Sequence, residues 1–450
     1  MKTNYLKKIP PTLWIIASFL ILIILGAVSL YLKSSTYKSI SFIDALFTST
    51  SAVCVTGLAV VDTPTTFNHQ GRLILMLLMQ IGGLGVLTIT SFIMILLTKN
   101  RHYLNFKVID ETLTQGLKFE FRKFILRLFK FVFVIEFCGA LFLFFYFYQK
   151  YDLLNAVELS IFHSISAFCK AGFSLFSNSL ENYYNNWYLL GVISILIISG
   201  GLGFFVLEEI YEKIKKTKYK FSFHSKVVIS ATIFLIFFGA LLIFIFEYGC
   251  AFIDYDFSTK ILSSIFQSIT SRTAGFNSVN LNSFNESTLL IIIVLMFIGG
   301  SPGSCAGGIK TTTFTVIFFS IYSKIIGKNN SQLFKRTFSK DTLNKSVILI
   351  ISALILLFIC VFMLLSILEN HHYIKELNNY FFKILFEAVS AFGTVGLSLG
   401  ITSFLSTGAK IIVILLMFLG RIGLLTFALI ILDANEKIEY SYPEEDLMIG

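Results

Sequence analysis

Charged residues are scarce in this 450-residue chain. Asp, Glu, Lys and Arg together make up 14% of it, whereas hydrophobic residues make up 56%. Soluble domains carry about 25% charged residues, so this composition excludes an ordinary water-soluble globular protein. It predicts a chain that crosses a membrane several times.

Cysteine and histidine are also rare, with 6 residues of each type. The cysteines lie mostly inside apolar stretches and form no Cys-x-x-Cys pair, so we expect neither a disulfide framework nor a zinc site. The histidines form no cluster with Asp or Glu at catalytic spacing, which disfavours a polytopic membrane enzyme and leaves that class as a remote alternative. The sequence predicts no metal or organic cofactor.

Apolar runs of about 20 residues, enough to cross a bilayer, recur along the chain. They cover 13–32, 73–97, 124–147, 188–207, 227–246, 289–323, 347–368 and 409–432, the sixth with a break. The first run follows three lysines, as in a signal peptide, but it is too long for the core of one. We therefore predict eight transmembrane helices.

The basic residues indicate how these helices are oriented. Lys and Arg concentrate in the N-terminus, 99–130, 213–226 and 324–345, which all fall on one side when the loops alternate. The positive-inside rule then places both termini in the cytoplasm. The formal charge of +10 is mostly this topology signal, so we expect contact with the lipid bilayer and no nucleic-acid partner.

Four short segments share one pattern, in which a small-residue run ends at a glycine between two apolar runs. Glycine can turn successive carbonyl oxygens toward an axis, where they replace the water around a cation. Irregular backbone at membrane depth is tolerated where it lines such a polar cavity. We therefore predict one ion filter built from four loops: Val55, Thr56 and Gly57; Lys170, Ala171 and Gly172; Thr273, Ala274 and Gly275; Thr394, Val395 and Gly396.

A short stretch rich in Ser and Thr precedes each of these loops, at 42–53, 154–168, 259–271 and 381–392. These stretches are too short to span a membrane, and we interpret them as half-membrane pore helices whose carbonyl ends favour cations. The predicted fold class is an all-α membrane protein with four repeats of first helix, pore helix, filter and second helix in a pseudo-fourfold arrangement. The repeats are predicted at 1–98, 99–212, 213–327 and 328–450, the last including a cytoplasmic tail.

The second helix of the third repeat contains an irregular segment at 299–313. Pro302, five glycines and Lys310 cannot remain a regular helix in hydrocarbon, so we expect a loop that lines the cavity. Its Gly-x-Lys-Thr ending suggests a phosphate-binding loop, but the spacing is wrong and no strand precedes it. Each second helix also carries a Gly-x-x-Gly pair, which indicates close packing near the axis.

The four filters, this glycine-rich break, Gly420-Arg421-Ile422-Gly423 and the ending at 442–450 resemble the Trk/Ktr/HKT superfamily of potassium transporters, and within it the KtrB group. The resemblance covers essentially the whole chain. It implies K⁺ uptake across the bacterial inner membrane, a homodimer, and a cytoplasmic ring of nucleotide-binding RCK subunits (KtrA-like) as regulator. It also implies a gate formed by the loop residues Gly303, Ser304, Cys305, Ala306, Gly307, Gly308 and Lys310, with Arg421 opposite them.

Two basic residues adjoin the predicted filter. Lys170 departs from the family pattern, which has an uncharged residue there, commonly Asn. Its ammonium group either lies behind the filter, paired with a carboxylate such as Glu158, or reaches the pore mouth and weakens discrimination between K⁺ and Na⁺; we expect the first. Arg272 ends the third pore helix, where its charge suits the helix dipole and its side chain can hold neighbouring filter loops.

The identity of the transported ion depends on the first filter. Gly57 stands where some members of the superfamily carry Ser, and glycine in all four filters favours K⁺. The alternative within the superfamily is a Na⁺-permeable transporter or a K⁺/Na⁺ cotransporter, and the sequence leaves coupling to Na⁺ open.

Overall fold

The computed structural model describes residues 11–85, 121–216, 219–328, 330–368 and 379–423. These residues are mostly helical, and they include one two-stranded antiparallel hairpin formed by β1 (Gln332–Leu333) and β2 (Arg336–Thr337). The α-helices are α1 (Pro11–Tyr31), α2 (Phe42–Val53), α3 (Thr63–Thr66), α4 (His69–Leu84), α5 (Phe121–Phe147), α6 (Leu153–Cys169), α7 (Trp187–Leu202), α8 (Phe204–Lys215), α9 (Phe223–Glu247), α10 (Phe257–Thr270), α11 (Glu286–Phe297), α12 (Thr311–Ile325), α13 (Lys340–Leu368), α14 (Tyr380–Gly393) and α15 (Thr407–Ile422).

One order of elements recurs four times along the chain. A long apolar helix (α1, α5, α9, α13) is followed by a short helix (α2, α6, α10, α14), an irregular loop and a second helix (α4, α7, α11, α15). The short helices lie over the four Ser/Thr-rich stretches that the sequence singles out. The repeat boundary predicted at 212 falls within α8, which continues to Lys215.

Three of the described helices are long and apolar enough to cross a membrane: Ile125–Phe147, Phe223–Glu247 and Lys340–Leu368. The bent pair α7 and α8 adds a fourth candidate span if the two helices count as one. The chain is therefore a multi-pass helical membrane protein in its described part. Parts of the predicted runs 73–97 and 409–432 lie outside the described residues.

Polar side chains begin several of the short and second helices. Ser41, Asp152 and Asp256 each accept a hydrogen bond from a first-turn backbone N–H at the start of α2, α6 and α10. Such N-caps satisfy donors that the helix itself leaves free. Hydrogen bonds from Asn155 and Thr259 lower the pKa of Asp152 and Asp256, because they stabilise the ionised carboxylates.

The second helices end earlier than the sequence predicts. Helices α4, α7 and α15 stop immediately before Gly85, Gly203 and Gly423, whose φ angles are +84°, +90° and +90°. After Gly203 the chain turns by 106° into α8. The sequence analysis predicts a break in the second helix of the third repeat, and the structure shows that the second repeat also breaks, at its Gly-x-x-Gly pair.

The four repeats contact one another in a closed cycle. Helix α4 packs on α6, α7 on α10, α11 on α14, and α15 on α2, so that each second helix packs on the short helix of the next repeat. At three of the Gly-x-x-Gly pairs the first glycine allows a close approach. A Cβ added to Gly82, Gly200 or Gly420 would collide with the carbonyl oxygen of Val53, Phe168 or Phe392 near the end of its own repeat's short helix.

Candidate functional site

The four predicted filter loops share one unusual backbone conformation. The residue two places before each glycine has positive φ: Val55 at +57°, Lys170 at +63°, Thr273 at +68° and Thr394 at +50°. The glycines themselves, Gly57, Gly172, Gly275 and Gly396, have φ of +91°, +68°, +80° and +93°. In each loop, two residues with positive φ thus flank one residue whose φ is not positive: Thr56, Ala171, Ala274 or Val395.

The loops form a closed ring. Each of the four glycines lies against the Cα of the glycine in the next loop. The distances from an added Cβ to that Cα are 3.1 Å from Gly57 to Gly172, 3.1 Å from Gly172 to Gly275, 3.2 Å from Gly275 to Gly396 and 3.0 Å from Gly396 to Gly57. The nearest atom in each case is the carbonyl oxygen of the residue before the next glycine. The ring is thus too tight for a side chain at any of the four positions.

Hydroxyl groups of the short helices hold the loops from behind. Ser51 accepts a hydrogen bond from the Gly57 N–H at 3.0 Å, and Ser390 accepts one from the Gly396 N–H at 3.2 Å. Ser166 donates to the Phe173 carbonyl at 2.7 Å, and Thr270 donates to the Phe276 carbonyl at 2.9 Å. These four residues were not among the predicted site residues, although a hydroxyl residue at nearly constant spacing before each glycine was the available signal.

A polar cavity of about 350 Å³ opens on one side of the ring, and all four glycines line it. Its wall carries Asp62, Asn277, Ser398 and Thr402 among other polar residues. On the opposite side lies the irregular segment between α11 and α12, which spans 298–310 rather than the predicted 299–313 because Thr311 already begins α12.

This irregular segment, called the 298–310 loop below, is hydrogen-bonded to the second and fourth repeats. Ser301 and Cys305 donate backbone N–H groups to Gly201 and Gly200 at 3.2 and 3.1 Å, and the Gly303 carbonyl accepts from Phe204 at 3.0 Å. Within the loop, Ser304 donates to the Ser301 carbonyl at 2.6 Å and accepts from the Ala306 N–H at 3.3 Å.

The other end of the loop contacts the fourth filter loop directly. The Gly307 N–H donates to Thr394 Oγ1 at 3.1 Å, and the Gly308 N–H donates to the Gly420 carbonyl at 3.3 Å. Lys310 turns back and donates to the Ala306 carbonyl at 2.7 Å. The 298–310 loop therefore covers the ring on the side opposite the polar cavity.

Arg421 joins the loop to the first repeat. Its guanidinium donates to the carbonyl oxygens of Cys305 and Gly82, and to that of Gly83 at 2.9 Å. A single side chain from the fourth repeat thus links the loop of the third repeat to the end of α4. Arg421 thus lies against the 298–310 loop.

Lys170 points behind the ring and away from the polar cavity. Its Nζ donates to the Arg272 carbonyl at 2.6 Å and to Thr273 Oγ1 at 3.0 Å, and the residue is only 3% exposed. The predicted pairing with Glu158 is wrong, since Glu158 contacts His69 at 2.9 Å and Arg72 at 3.3 Å. Glu158 is twelve residues earlier in α6, roughly 18 Å away at 1.5 Å per residue, which places it near the other end of the helix.

Arg272 is buried beside Lys170, but its guanidinium contacts different partners from those expected. It donates to the Thr232 carbonyl of α9 at 3.5 Å and to the Gly299 carbonyl, where the 298–310 loop begins, at 3.3 Å. The side chain therefore supports the loop, whereas the Arg272 main chain supports Lys170 and the filter.

Comparison with known proteins gives consistent matches along the chain. A family model described as "TrkH: Cation transport protein" matches residues 9–438. The chain is 38% identical to the Ktr system potassium uptake protein B of Bacillus subtilis, over 99% of this chain and 98% of that protein. It is 36% identical to the potassium/sodium uptake protein NtpJ of Enterococcus hirae, over 100% of this chain and 99% of that protein.

A solved structure shares the fold. The potassium transporter TrkH from Vibrio parahaemolyticus superposes with a TM-score of 0.75 at 16% identity, covering 96% of this chain and 86% of that one. The family transports cations and the chain is not an enzyme. With the family model matching most of its length, the chain belongs to the TrkH family of cation transport proteins.

Proposed function

We propose that the chain is the pore-forming subunit of a bacterial K⁺ uptake system, in which four M1–pore helix–filter–M2 repeats surround one axis. The observation that carries this proposal is the closed ring of four glycine loops with alternating backbone handedness. K⁺ passes through the ring as carbonyl oxygens of residues such as Thr56, Ala171, Ala274 and Val395 replace its water. The short helices α2, α6, α10 and α14 act as pore helices.

The gate lies between the filter and the cytoplasm. The 298–310 loop covers that side of the ring, and Arg421 places a fixed positive charge against it. A cation that leaves the filter must pass both the loop and this charge. The loop is hydrogen-bonded to the second and fourth repeats, so a movement of α12 or α8 reaches the obstruction directly.

The proposed assembly is the one that the family resemblance implies. Both termini face the cytoplasm of a bacterial cell with the protein in its inner membrane, two copies form a homodimer, and an RCK-type nucleotide-binding ring binds the basic cytoplasmic loops. The word "system" in the name of the Bacillus subtilis relative supports a separate partner. Complementary charge would draw an acidic ring to those loops.

A K⁺/Na⁺ transporter is the second candidate. The Enterococcus hirae relative is named a potassium/sodium uptake protein, and its match spans the whole of this chain. The two candidates differ in how strictly the four-carbonyl ring rejects Na⁺.

Gly57→Ser tests the filter. The added side chain would collide with the neighbouring Ala171 carbonyl, and φ of +91° disfavours any residue with a Cβ. We expect K⁺ over Na⁺ discrimination to fall about tenfold or more, a loss of roughly 1.4 kcal/mol. The measurement is the relative K⁺ and Na⁺ flux of purified protein in liposomes.

Gly191→Ser is the matched control. Gly191 lies in α7, and a Cβ added there meets no atom within 4 Å, so the same chemical change should leave flux and selectivity intact. Unchanged relative permeability in a folded Gly57→Ser protein would remove Gly57 from the ion path. If wild-type protein already passes both ions equally, the K⁺/Na⁺ candidate replaces the K⁺-selective one.

A further inference from the structure

Two buried basic side chains share one small pocket behind the filter. Lys170 and Arg272 line it with Ile197, Ile198, Thr232 and Ile236, between the second and third repeats. The two residues are 3% and 5% exposed. No carboxylate of the described residues lines this pocket. Burying two like charges together is costly unless an opposite charge accompanies them.

The hydrogen-bond donors in the pocket exceed the protein acceptors available to them. Lys170 uses two of its three N–H groups, on the Arg272 carbonyl and on Thr273 Oγ1. Arg272 uses two of its terminal groups, and its Nε finds no acceptor among the described residues. A buried donor without an acceptor costs about 1–3 kcal/mol. The site therefore offers both charge and free N–H groups to an acceptor.

We infer that this pocket binds a single halide ion, chloride under ordinary conditions, held between Lys170 Nζ and Arg272 Nε. The pocket has about 10 Å³ of space for the centre of a water-sized particle, which is at the lower limit for one bound water. Sulfate and phosphate are too large for it, and a halide enters only if the lining side chains move apart slightly. The anion neutralises part of the charge that Lys170 adds to a position where the superfamily commonly has Asn. It links the second filter loop to Arg272, beside the third.

The pocket lies off the ion path, so the inference does not depend on K⁺ passing through the ring. The apolar residues Ile197 and Ile236 form part of its wall. Halide binding should therefore appear as stabilisation of the folded protein, because a ligand that binds only the native state raises its melting temperature with concentration.

The experiment measures thermal unfolding of the purified full chain in potassium chloride, potassium bromide and potassium gluconate at equal K⁺ concentration and ionic strength. We expect both halides to raise Tm relative to gluconate, by a shift that saturates with concentration. Lys170→Met keeps most of the length of the side chain, removes the amino group and should abolish the shift.

Lys260→Met is the matched control. Lys260 is also buried and donates to a single carbonyl, that of Tyr248 at 2.8 Å, but it lies outside the pocket. The halide shift should persist in this variant. Equal Tm of the wild type in chloride and gluconate, or a shift that survives in Lys170→Met, would overturn the halide site.

Diffraction from bromide-soaked wild-type crystals decides the question if Lys170→Met does not fold. An anomalous peak within hydrogen-bonding distance of Lys170 Nζ and Arg272 Nε would establish the site. A pocket with no anomalous peak at saturating bromide would show that water fills it, and the inference would then fail.

Discussion

At the scale of single residues, the hydroxyl groups behind the ring determine where the filter backbone lies. The Ser51 and Ser390 hydroxyls each accept the N–H of a filter glycine, and that N–H has no other acceptor in the described residues. Because the loops are irregular, no helix or sheet supplies these hydrogen bonds. The hydroxyls therefore replace regular secondary structure at four points around the ring.

Ser51→Ala should loosen the first filter loop. It leaves the Gly57 N–H without its partner at a cost of about 1–3 kcal/mol, so we expect a lower melting temperature and a several-fold loss of K⁺ over Na⁺ discrimination. Both are measured on purified protein, by thermal unfolding and by liposome flux.

Ser49→Ala is the control for this change. Ser49 lies in the same helix and is equally buried, but it donates to the Ile23 carbonyl of α1 and does not contact the filter. It should keep wild-type selectivity. Equal selectivity in the Ser51 and Ser49 variants would show that the hydroxyl supports only the fold.

Some residue contacts could be predicted from the sequence and others could not. The filter glycines were predictable because one backbone requirement recurs four times along the chain. The partner of Lys170 was not, since its acceptors are main-chain and hydroxyl oxygens about a hundred residues away, at Arg272 and Thr273. Opposite charge alone suggests Glu158 as the partner of Lys170, but in the fold Glu158 pairs with Arg72.

At the scale of elements, the 298–310 loop interrupts the second helix of the third repeat. Its irregular backbone was predictable from Pro302 and the clustered glycines. The break after α7 was not predicted, because Gly203 stands in an apolar run that reads as a continuous helix. The structure shows why the run ends there: Gly203 has positive φ, and the next N–H, that of Phe204, donates to the Gly303 carbonyl.

Arg421→Ala should release the 298–310 loop. The variant removes the hydrogen bonds from the fourth repeat to the carbonyls of Cys305, Gly82 and Gly83, and it removes a positive charge beside the ion path. We expect a several-fold rise in K⁺ flux with unchanged K⁺ over Na⁺ selectivity, because the filter itself is not altered. Liposome flux in both salts measures the two quantities together.

Arg72→Ala serves as the comparison. Arg72 also donates to several partners, including Glu158 and the Pro64 carbonyl, but it contacts no residue of the loop. Its removal should not raise flux. A folded Arg421→Ala protein with wild-type or lower flux would assign Arg421 to structure alone and place the gate elsewhere.

At the scale of the whole molecule, the proposed regulation acts on the pore from the cytoplasmic side. The basic loops are described only in part, and the ending at 442–450 lies outside the described residues. In the sequence this ending joins the acidic run Glu444, Glu445 and Asp446 to the apolar run Leu447, Met448 and Ile449. Such a combination favours docking against another surface, and we expect that surface to be the neighbouring protomer.

Removing residues 443–450 should weaken the dimer or its nucleotide-dependent control and leave ion selectivity unchanged, since the tail is remote in sequence from all four filter loops. Light scattering measures the oligomeric state. K⁺ flux with and without the partner ring measures the nucleotide-dependent regulation. A truncated protein that stays dimeric and remains fully regulated would show that the tail has neither role.

One contact in the closed cycle of repeats joins the last repeat to the first, whereas the other three join consecutive repeats. The first three contacts join repeats that follow one another along the chain, whereas α15 must return to α2, where Lys410 pairs with Asp44 at 2.6 Å. During synthesis, three filter loops therefore enter the membrane before the partner that completes their ring exists. Until the fourth repeat has inserted, the ring of loops stays open. A chain truncated before residue 396 should therefore be unable to conduct K⁺.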